Sequence, residues 1–338
     1  MRYSFVLISF NEAANIAACI ASIDRQEGLG SDYEILVVDD GSTDETPNIV
    51  RKTSQFAPHV RLITDGKNHG RGFGRWRGVN ESRGDYVVMV DADIVLPADW
   101  LATALPYLRN HDVAGGIAVP DGDVAYVYRR FNLRPKTVMG STVITGNNGI
   151  YKRAVLEQVN FDPALREGED VDFNHRSAAA GFTSVCAPGL TVEHQEHKSF
   201  PRSMQWLFQS GVGATRQLAR FRKIRRPDLA FGATFLAAIA ATGATATHGW
   251  WWSFALPGIG VCGAAFLHVQ EKFHLSIKQL PDSLGAWLTD CLLIGCYYVG
   301  RVAGVVPLLK SLVVRDSSTV SAETLRFPRN RGGISYKE

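Results

Sequence analysis

Along its first 200 residues the chain alternates short apolar runs with segments whose apolar positions recur at helical spacing. Ser4 to Ser9 predicts a first strand, and Ile16, Cys19, Ile20 and Ile23 predict a helix from Glu12 to about Arg25. Glu34 to Val38 predicts a second, buried strand. Thr43 then caps a predicted helix to about Phe56, with Pro47 in its first turn. Val60 to Thr64 and Asp85 to Val90 predict the third and fourth strands, and Pro97 to Leu101 a helix start. Further on, Glu167 to Phe173 opens a helix continuing to Ala180, and Leu190 to Val192 predicts another strand. Such alternation predicts an α/β domain with a mostly parallel sheet and helices on both faces, binding its ligands at the carboxyl ends of the strands. The acidic clusters fall there: Asp39 and Asp40 after one strand, Asp91 and Asp93 after another.

Beyond residue 200 the pattern changes. Residues 201–221 mix Met204, Trp206, Leu207, Phe208, Val212 and Leu218 with polar positions, predicting an amphipathic helix on a bilayer surface. Arg216 to Arg226 holds six basic residues in eleven, as expected beside a membrane on its cytoplasmic side. From Leu229 to His268 there are 40 consecutive residues without Asp, Glu, Lys or Arg. That run has room for two spans of about 20 residues, turning at Thr247-His248-Gly249 beside Trp250, Trp251 and Trp252. A second apolar stretch, Leu284 to Val314, is broken by Asp290, Arg301 and Pro307 and suits one span or a re-entrant segment. The expected organisation is a catalytic domain over 1–200, a basic interfacial helix over 201–226, membrane helices over 227–314, and a polar basic tail over 315–338.

Composition narrows the class. The 338 residues suit about two domains of ~150 residues. A net charge of only +3 argues against a nucleic-acid partner. The five cysteines are odd in number and lack metal-ligand spacing, which fits reduced thiols better than a disulfide framework. Tyr3 to Phe10 is too short for a signal peptide and runs directly into Asn11 and Glu12, so the bulk of the chain is expected in the cytosol, at a membrane.

Asp91 and Asp93 leave one strand end two residues apart, so their side chains share a face. Two hard carboxylates with small Ala92 between them suit Mg²⁺ or Mn²⁺ held against a diphosphate. His194 is a candidate third ligand, while His197 and Lys198 suit a pyrophosphate or lipid headgroups. Asp39-Asp40-Gly41-Ser42 reads equally as a turn into a helix and as an acceptor for a nucleobase N–H or ribose hydroxyl. Acids in a first helical turn are favoured by the dipole alone, but Asp170, facing the cleft, could take a proton from an acceptor hydroxyl. Asp172 and Arg176 are spaced as an ordinary surface pair. The first strand leads into Ser9-Phe10-Asn11-Glu12 without a glycine fingerprint, which disfavours a dinucleotide enzyme. Gly70-Arg71-Gly72-Phe73-Gly74 follows the third strand with the wrong spacing for that fingerprint. Arg75 and Arg77 carry guanidinium groups suited to donor phosphate.

In order along the chain stand Ser9-Phe10-Asn11-Glu12, Val38 to Asp44, Asn68-His69-Gly70, Gly84-Asp85-Tyr86, Asp91-Ala92-Asp93, Gly146-Asn147-Asn148-Gly149 and Gly168-Glu169-Asp170. Together these resemble glycosyltransferase family 2 over about residues 1–200. The resemblance implies a GT-A fold, a nucleotide-sugar donor and Mn²⁺ or Mg²⁺. By it, Asp40 with Ser9 and Glu12 contacts the nucleoside, and Asn11, Asp39, Gly70, Arg75, Ala92, Asn148 and Glu169 complete the donor set. Asp93 binds the metal, Asp91 the metal or the donor ribose, and Asp170 is the base. The chain looks most like the bacterial membrane-associated enzymes that build exopolysaccharide repeat units on a lipid carrier, the succinoglycan ExoA-like group. The Gln-x-x-Arg-Trp signature of processive synthases is absent.

The expected activity is inverting transfer of a hexose, UDP-linked by default from the family, to a hydroxyl of a polyprenyl-linked glycan. Two alternatives stand beside it. One is transfer to polyprenyl phosphate itself, as in dolichyl-phosphate mannose synthases, which lack a Gly-Glu-Asp helix of this sort. The other is an inactive membrane scaffold, which predicts erosion of the acids, whereas Asp40, Asp91, Asp93 and Asp170 are all present.

Overall fold

A computed structural model describes residues 2–120, 144–195, 200–221, 229, 232, 292–293 and 295–306. β1 (Tyr3–Ser9), α1 (Ile16–Asp24), β2 (Tyr33–Asp39), α2 (Thr46–Phe56), β3 (Val60–Ile63), α3 (Arg71–Glu81) and β4 (Tyr86–Asp91) form the parallel half. There follow β5 (Ile94–Val95), α4 (Trp100–Ala104), β6 (Val113–Gly115), β7 (Ala118–Pro120), β8 (Asn148–Lys152), α5 (Arg153–Gln158) and α6 (Glu169–Ala179). β9 (Ser184–Cys186), β10 (Val192–His194), α7 (Phe200–Phe221) and α8 (residues 295–306) complete the described elements. The main sheet has the order β3-β2-β1-β4-β8-β6-β9, with β8 antiparallel to both β4 and β6; β5, β10 and β7 form a small second sheet.

The strands of the parallel half are apolar on both faces because helices cover both. Phe5, Leu7, Ile35, Val37, Val88 and Val90 pack with Ile16, Ile20 and Ile23 of α1 and Trp100 and Leu101 of α4. Alternate residues Val6, Ile8, Leu36, Val38, Val87 and Met89 face Val79 of α3, Val155 of α5 and Phe173 of α6. Register then places chemistry at one edge: Ser9 lies opposite Asp39, and Ile8 opposite Asp91.

Helix α3 lies unusually close to the sheet. A Cβ at Gly74 would sit 3.2 Å from Ile8 Cγ2, one at Gly78 would overlap Val6, and one at Gly72 would overlap the Leu165 carbonyl. The small residues at 74 and 78, one turn apart, let the helix settle and carry Arg75 into the interior. Helix α7 crosses the start of α6: Gln217 Nε2 donates to the Gly168 carbonyl at 3.4 Å, and Arg220 pairs with Asp162 (2.9 Å) and Asp172 (3.1 Å). α8 packs on α7 through Gly300 and Gly304, which lie against the backbone of Phe208 and Val212.

Several boundaries differ from the sequence expectation for local reasons. α1 begins at Ile16 because Asn11 adopts a left-handed φ of 59° and residues 12–15 form a turn, with Glu12 accepting from the Ile16 N–H. Thr43 does not cap α2: its N–H and hydroxyl go to Asn11 Oδ1, and Glu45 stands at the cap position. Pro188–Leu190 is a 3₁₀ turn and the last strand runs Val192–His194. Asp172 is buried, 1% exposed, and shared by Arg176 (2.6 Å) and Arg220, so it is an anchor between helices and not a surface pair. Cys19, Cys186 and Cys296 are free thiols.

No helix among the described residues is long and apolar enough to cross a membrane. Apart from Leu229 and Gly232, the 229–268 run lies outside the described residues, as do His197, Lys198, residues 222–226 and the 315–338 tail. Of the 284–314 stretch, residues 292–293 and 295–306 are described, and Arg301 is buried there.

Candidate active site

Asp91 ends β4, and Asp93 sits in the turn before β5. β5 pairs antiparallel with β10, setting His194 opposite Ile94 and beside Asp93. One ligand atom each from Asp91, Asp93 and His194 lie within 4.8 Å of one another. His194 Nε2 is 2.9 Å from Asp93 Oδ2, while Asp93 Oδ1 is buried and makes no hydrogen bond. An orphaned carboxylate oxygen is costly without a cation or donor. Two carboxylates and an imidazole therefore fit Mn²⁺ or Mg²⁺, and these three residues would hold it.

Glu12 faces the same cluster. Burial, then the neighbouring Asp93 and Asp91 carboxylates, push its carboxyl up to about 7, against a hydrogen bond from Asn15. An acid whose folded pKa lies above its unfolded value costs stability as pH rises from the unfolded to the folded value. Without a divalent cation, Glu12→Gln is expected to raise the melting temperature at about pH 8, with a smaller gain at about pH 5. Thermal denaturation at the two pH values checks this.

At the β2 end, an open cleft is lined by Asp39, Asp40, Thr64, Lys67, His69, Phe73 and Arg77. Asp39 accepts from Ser9 Oγ (3.5 Å), the Ser42 N–H (3.1 Å) and Thr64 Oγ1 (3.1 Å). Asp40 accepts the backbone N–H groups of His69 (2.6 Å) and Gly70 (2.9 Å), and burial raises its carboxyl pKa. Gly70 holds φ 96°, where a Cβ would strike Arg166, so glycine is required at this bend. Asn11 Oδ1 and the Ser42 hydroxyl tie the loops after β1 and β2 together.

Asp170 lies in the first turn of α6. Its carboxyl pKa is raised, first by burial and then by Glu169, against Arg71 and Arg75. Between Asp170 and the metal cluster stands Arg75, only 2% exposed. Its Nη2 donates to Asp91 Oδ1 (2.9 Å), Nη1 to Glu169 Oε1 (2.6 Å) and Nε to the Gly146 carbonyl (3.0 Å). A Cβ at Gly146 would fall 2.7 Å from Arg75 Nε.

Four residues expected to meet the donor, Arg75, Ala92, Asn148 and Glu169, are enclosed instead. Arg75 is enclosed and spends its donors on protein oxygens, so it does not reach out to phosphate. Ala92 is 1% exposed and donates its N–H to Ile8. Asn148 is fully buried, accepting from Trp100 Nε1 (3.0 Å) and donating to the Leu190 carbonyl (2.6 Å). Asn148→Ala is expected to cost about 1–3 kcal/mol of stability by orphaning both partners, with donor KM unchanged in the folded protein. Denaturant unfolding beside steady-state kinetics checks it. Glu169 is 2% exposed and is held first by Arg75. Sequence reasoning missed the bridging place of Arg75; the available signal was the Gly74/Gly78 spacing, which marks close helix–sheet approach.

Paired carboxylates at the carboxyl edge of a GT-A-like sheet, linked through Arg75 to the turn that carries a further acid, are the arrangement of a group-transfer enzyme. Residues 4–160 match "Glycosyl transferase family 2": the chain carries a domain of that family and is a glycosyltransferase. It is 26% identical over 223 residues to the glycosyltransferase AglE of Haloferax volcanii, covering 62% of this chain and 72% of that protein. It is 32% identical over 209 residues to the succinoglycan biosynthesis protein ExoO of Rhizobium meliloti, covering 55% of this chain and 58% of that one. Among solved structures, the mannosyltransferase PcManGT of Pyrobaculum calidifontis, in complex with GDP-Man and Mn²⁺, shares the fold. Its TM-score is 0.60 at 19% identity, over 89% of this chain and 87% of that one.

Proposed function

We propose that this glycosyltransferase moves a hexose from a nucleotide sugar, by inverting displacement, to a hydroxyl of a polyprenyl-linked glycan at the cytosolic face of a membrane. The observation that supports the reading is the cluster of Asp91, Asp93 and His194, joined through Arg75 to Glu169, the neighbour of Asp170. Asp39 and Asp40 border the cleft at the β2 end, where the nucleoside would lie. Asp170 takes the proton of the attacking hydroxyl, and burial, which raises its pKa, makes it a stronger proton acceptor than an ordinary aspartate. Mn²⁺ or Mg²⁺, when bound, supplies positive charge to the departing diphosphate. Asp91, Asp93 and His194 orient that charge, and Glu12 adds negative field behind it.

The membrane part rests on the uncharged 229–268 run and the basic stretch before it. The acceptor hydroxyl, as opposed to a polyprenyl phosphate, is favoured by Asp170, because a phosphate acceptor is already ionised and needs no base. Purified full-length protein is tested by thermal shift against UDP-, GDP- and dTDP-sugars with Mn²⁺, and by co-sedimentation with anionic vesicles. A Mn²⁺-dependent shift with one nucleotide class, and sedimentation lost in high salt, are expected. No shift with any nucleotide sugar overturns the donor reading.

A further inference from the structure

The three donors of Arg75 reach three separate pieces of the fold. Asp91 belongs to β4 and the cation end of the cleft, Glu169 to the first turn of α6 beside Asp170, and Gly146 to the segment entering β8. The guanidinium and Glu169 are each 2% exposed, so their contact is buried on both sides, whereas Asp91 is 19% exposed. Glu169 Oε2 is buried without a hydrogen bond, which leaves Arg75 as the close cationic partner of that carboxylate; Arg71 stands farther off at 3.8 Å. One planar fork thus divides its donors between two carboxylates on different elements, Asp91 of β4 and Glu169 of α6. Bidentate or forked arginine contacts fix geometry as well as charge.

We propose that Arg75 is a positioning residue: it ties the cation-binding carboxylate Asp91 to the base-bearing turn through Glu169, so that the state of one end sets the geometry of the other. The inference rests on the metal and donor reading above. With Asp91 engaged by a cation, Arg75 would rest more fully on Glu169 and so hold the first turn of α6 and Asp170 in place. Conversely, a broken contact at Glu169 lets Arg75 settle on Asp91, where it competes with the cation.

The test uses full-length protein and titration calorimetry with UDP and Mn²⁺, without a sugar, so that sugar contacts do not enter. GDP or dTDP replaces UDP if thermal shift selects it. Glu169→Asp keeps the charge and shortens the reach by one methylene, whereas Glu169→Gln keeps the length and removes the charge. Both are expected to weaken Mn²⁺-dependent UDP binding at least about threefold, although neither touches the cation. In an Arg75→Lys background, Glu169→Asp is expected to have no further effect. An affinity for Glu169→Asp equal to wild type overturns the proposal, whether or not Glu169→Gln binds weakly, because a through-space field alone would produce that pattern. Additive effects of Arg75→Lys and Glu169→Asp overturn it as well. If Arg75→Lys does not fold, the two Glu169 variants decide the matter by themselves. Wild-type protein that binds no nucleoside diphosphate with Mn²⁺ removes the donor reading, and this inference falls with it.

Discussion

Asp170→Asn is expected to lower kcat by about 10²–10⁴-fold while Mn²⁺-dependent nucleotide affinity stays within about twofold of wild type. Asparagine preserves the shape of the α6 first turn and removes only the capacity to accept a proton. The split between kcat and binding therefore separates a base from a donor contact. The pH profile carries a sign. A base works when deprotonated, and burial beside Glu169 raises the pKa of Asp170 above the ordinary 3.8. Turnover in the wild type should consequently fall on the acid side at a higher pH than an ordinary aspartate would give. That limb should be absent from the residual activity of the variant. Single-turnover kinetics across pH checks both statements. Unchanged turnover in Asp170→Asn would point instead to an acceptor that needs no base, such as a polyprenyl phosphate.

The second large effect is expected at Asp93. Asp93→Ala should weaken Mn²⁺-dependent nucleotide binding by more than about 100-fold, since partners one step removed from a metal already cost 10–100-fold. Transfer should fall by at least about 10²–10³-fold, the scale of losing one preorganised charge stabiliser. Stability should move the other way. Asp93 is a leading cause, after burial, of the raised Glu12 pKa, and its Oδ1 is orphaned. Removing it from the cation-free protein relieves like-charge repulsion, so the melting temperature at about pH 8 should not fall. Calorimetry and thermal denaturation together distinguish this from a folding defect. Normal Mn²⁺-dependent binding in a folded Asp93→Ala protein would sink the metal assignment.

How much of this was legible beforehand depends on the range of the interaction. β1, β2, β3 and β4 fell within one or two residues of their predicted limits, because an apolar run buried on both faces states its own length. Helix starts were less legible. Thr43 looks like a cap, yet Asn11, 32 residues earlier, takes its donors, and propensity cannot register that competition. Asp91 and Asp93 were readable as a cation pair from their spacing and strand-end position. His194 was readable only as a candidate; the pairing of β10 with β5 sets it beside Asp93. Asn148 and Asp172 were misread because polarity in a sequence does not say whether a group faces solvent or a buried partner. Each is enclosed, and each meets partners 4 to 48 positions away.

The linear order of residues alone determined the alternation of strands and helices, the sheet edge that gathers the acids, and the abrupt loss of charge after residue 228. These follow from local periodicity and composition, which need no knowledge of distant neighbours. Tertiary structure alone decided which polar groups became ligands and which became struts. Arg75 is the plainest instance: nothing near it in sequence requires a guanidinium, and its place follows from glycines that let α3 sink onto β1. Close packing brings together groups 16, 71 and 94 positions apart, and in that dry interior each charge must find its partner or remain unpaired.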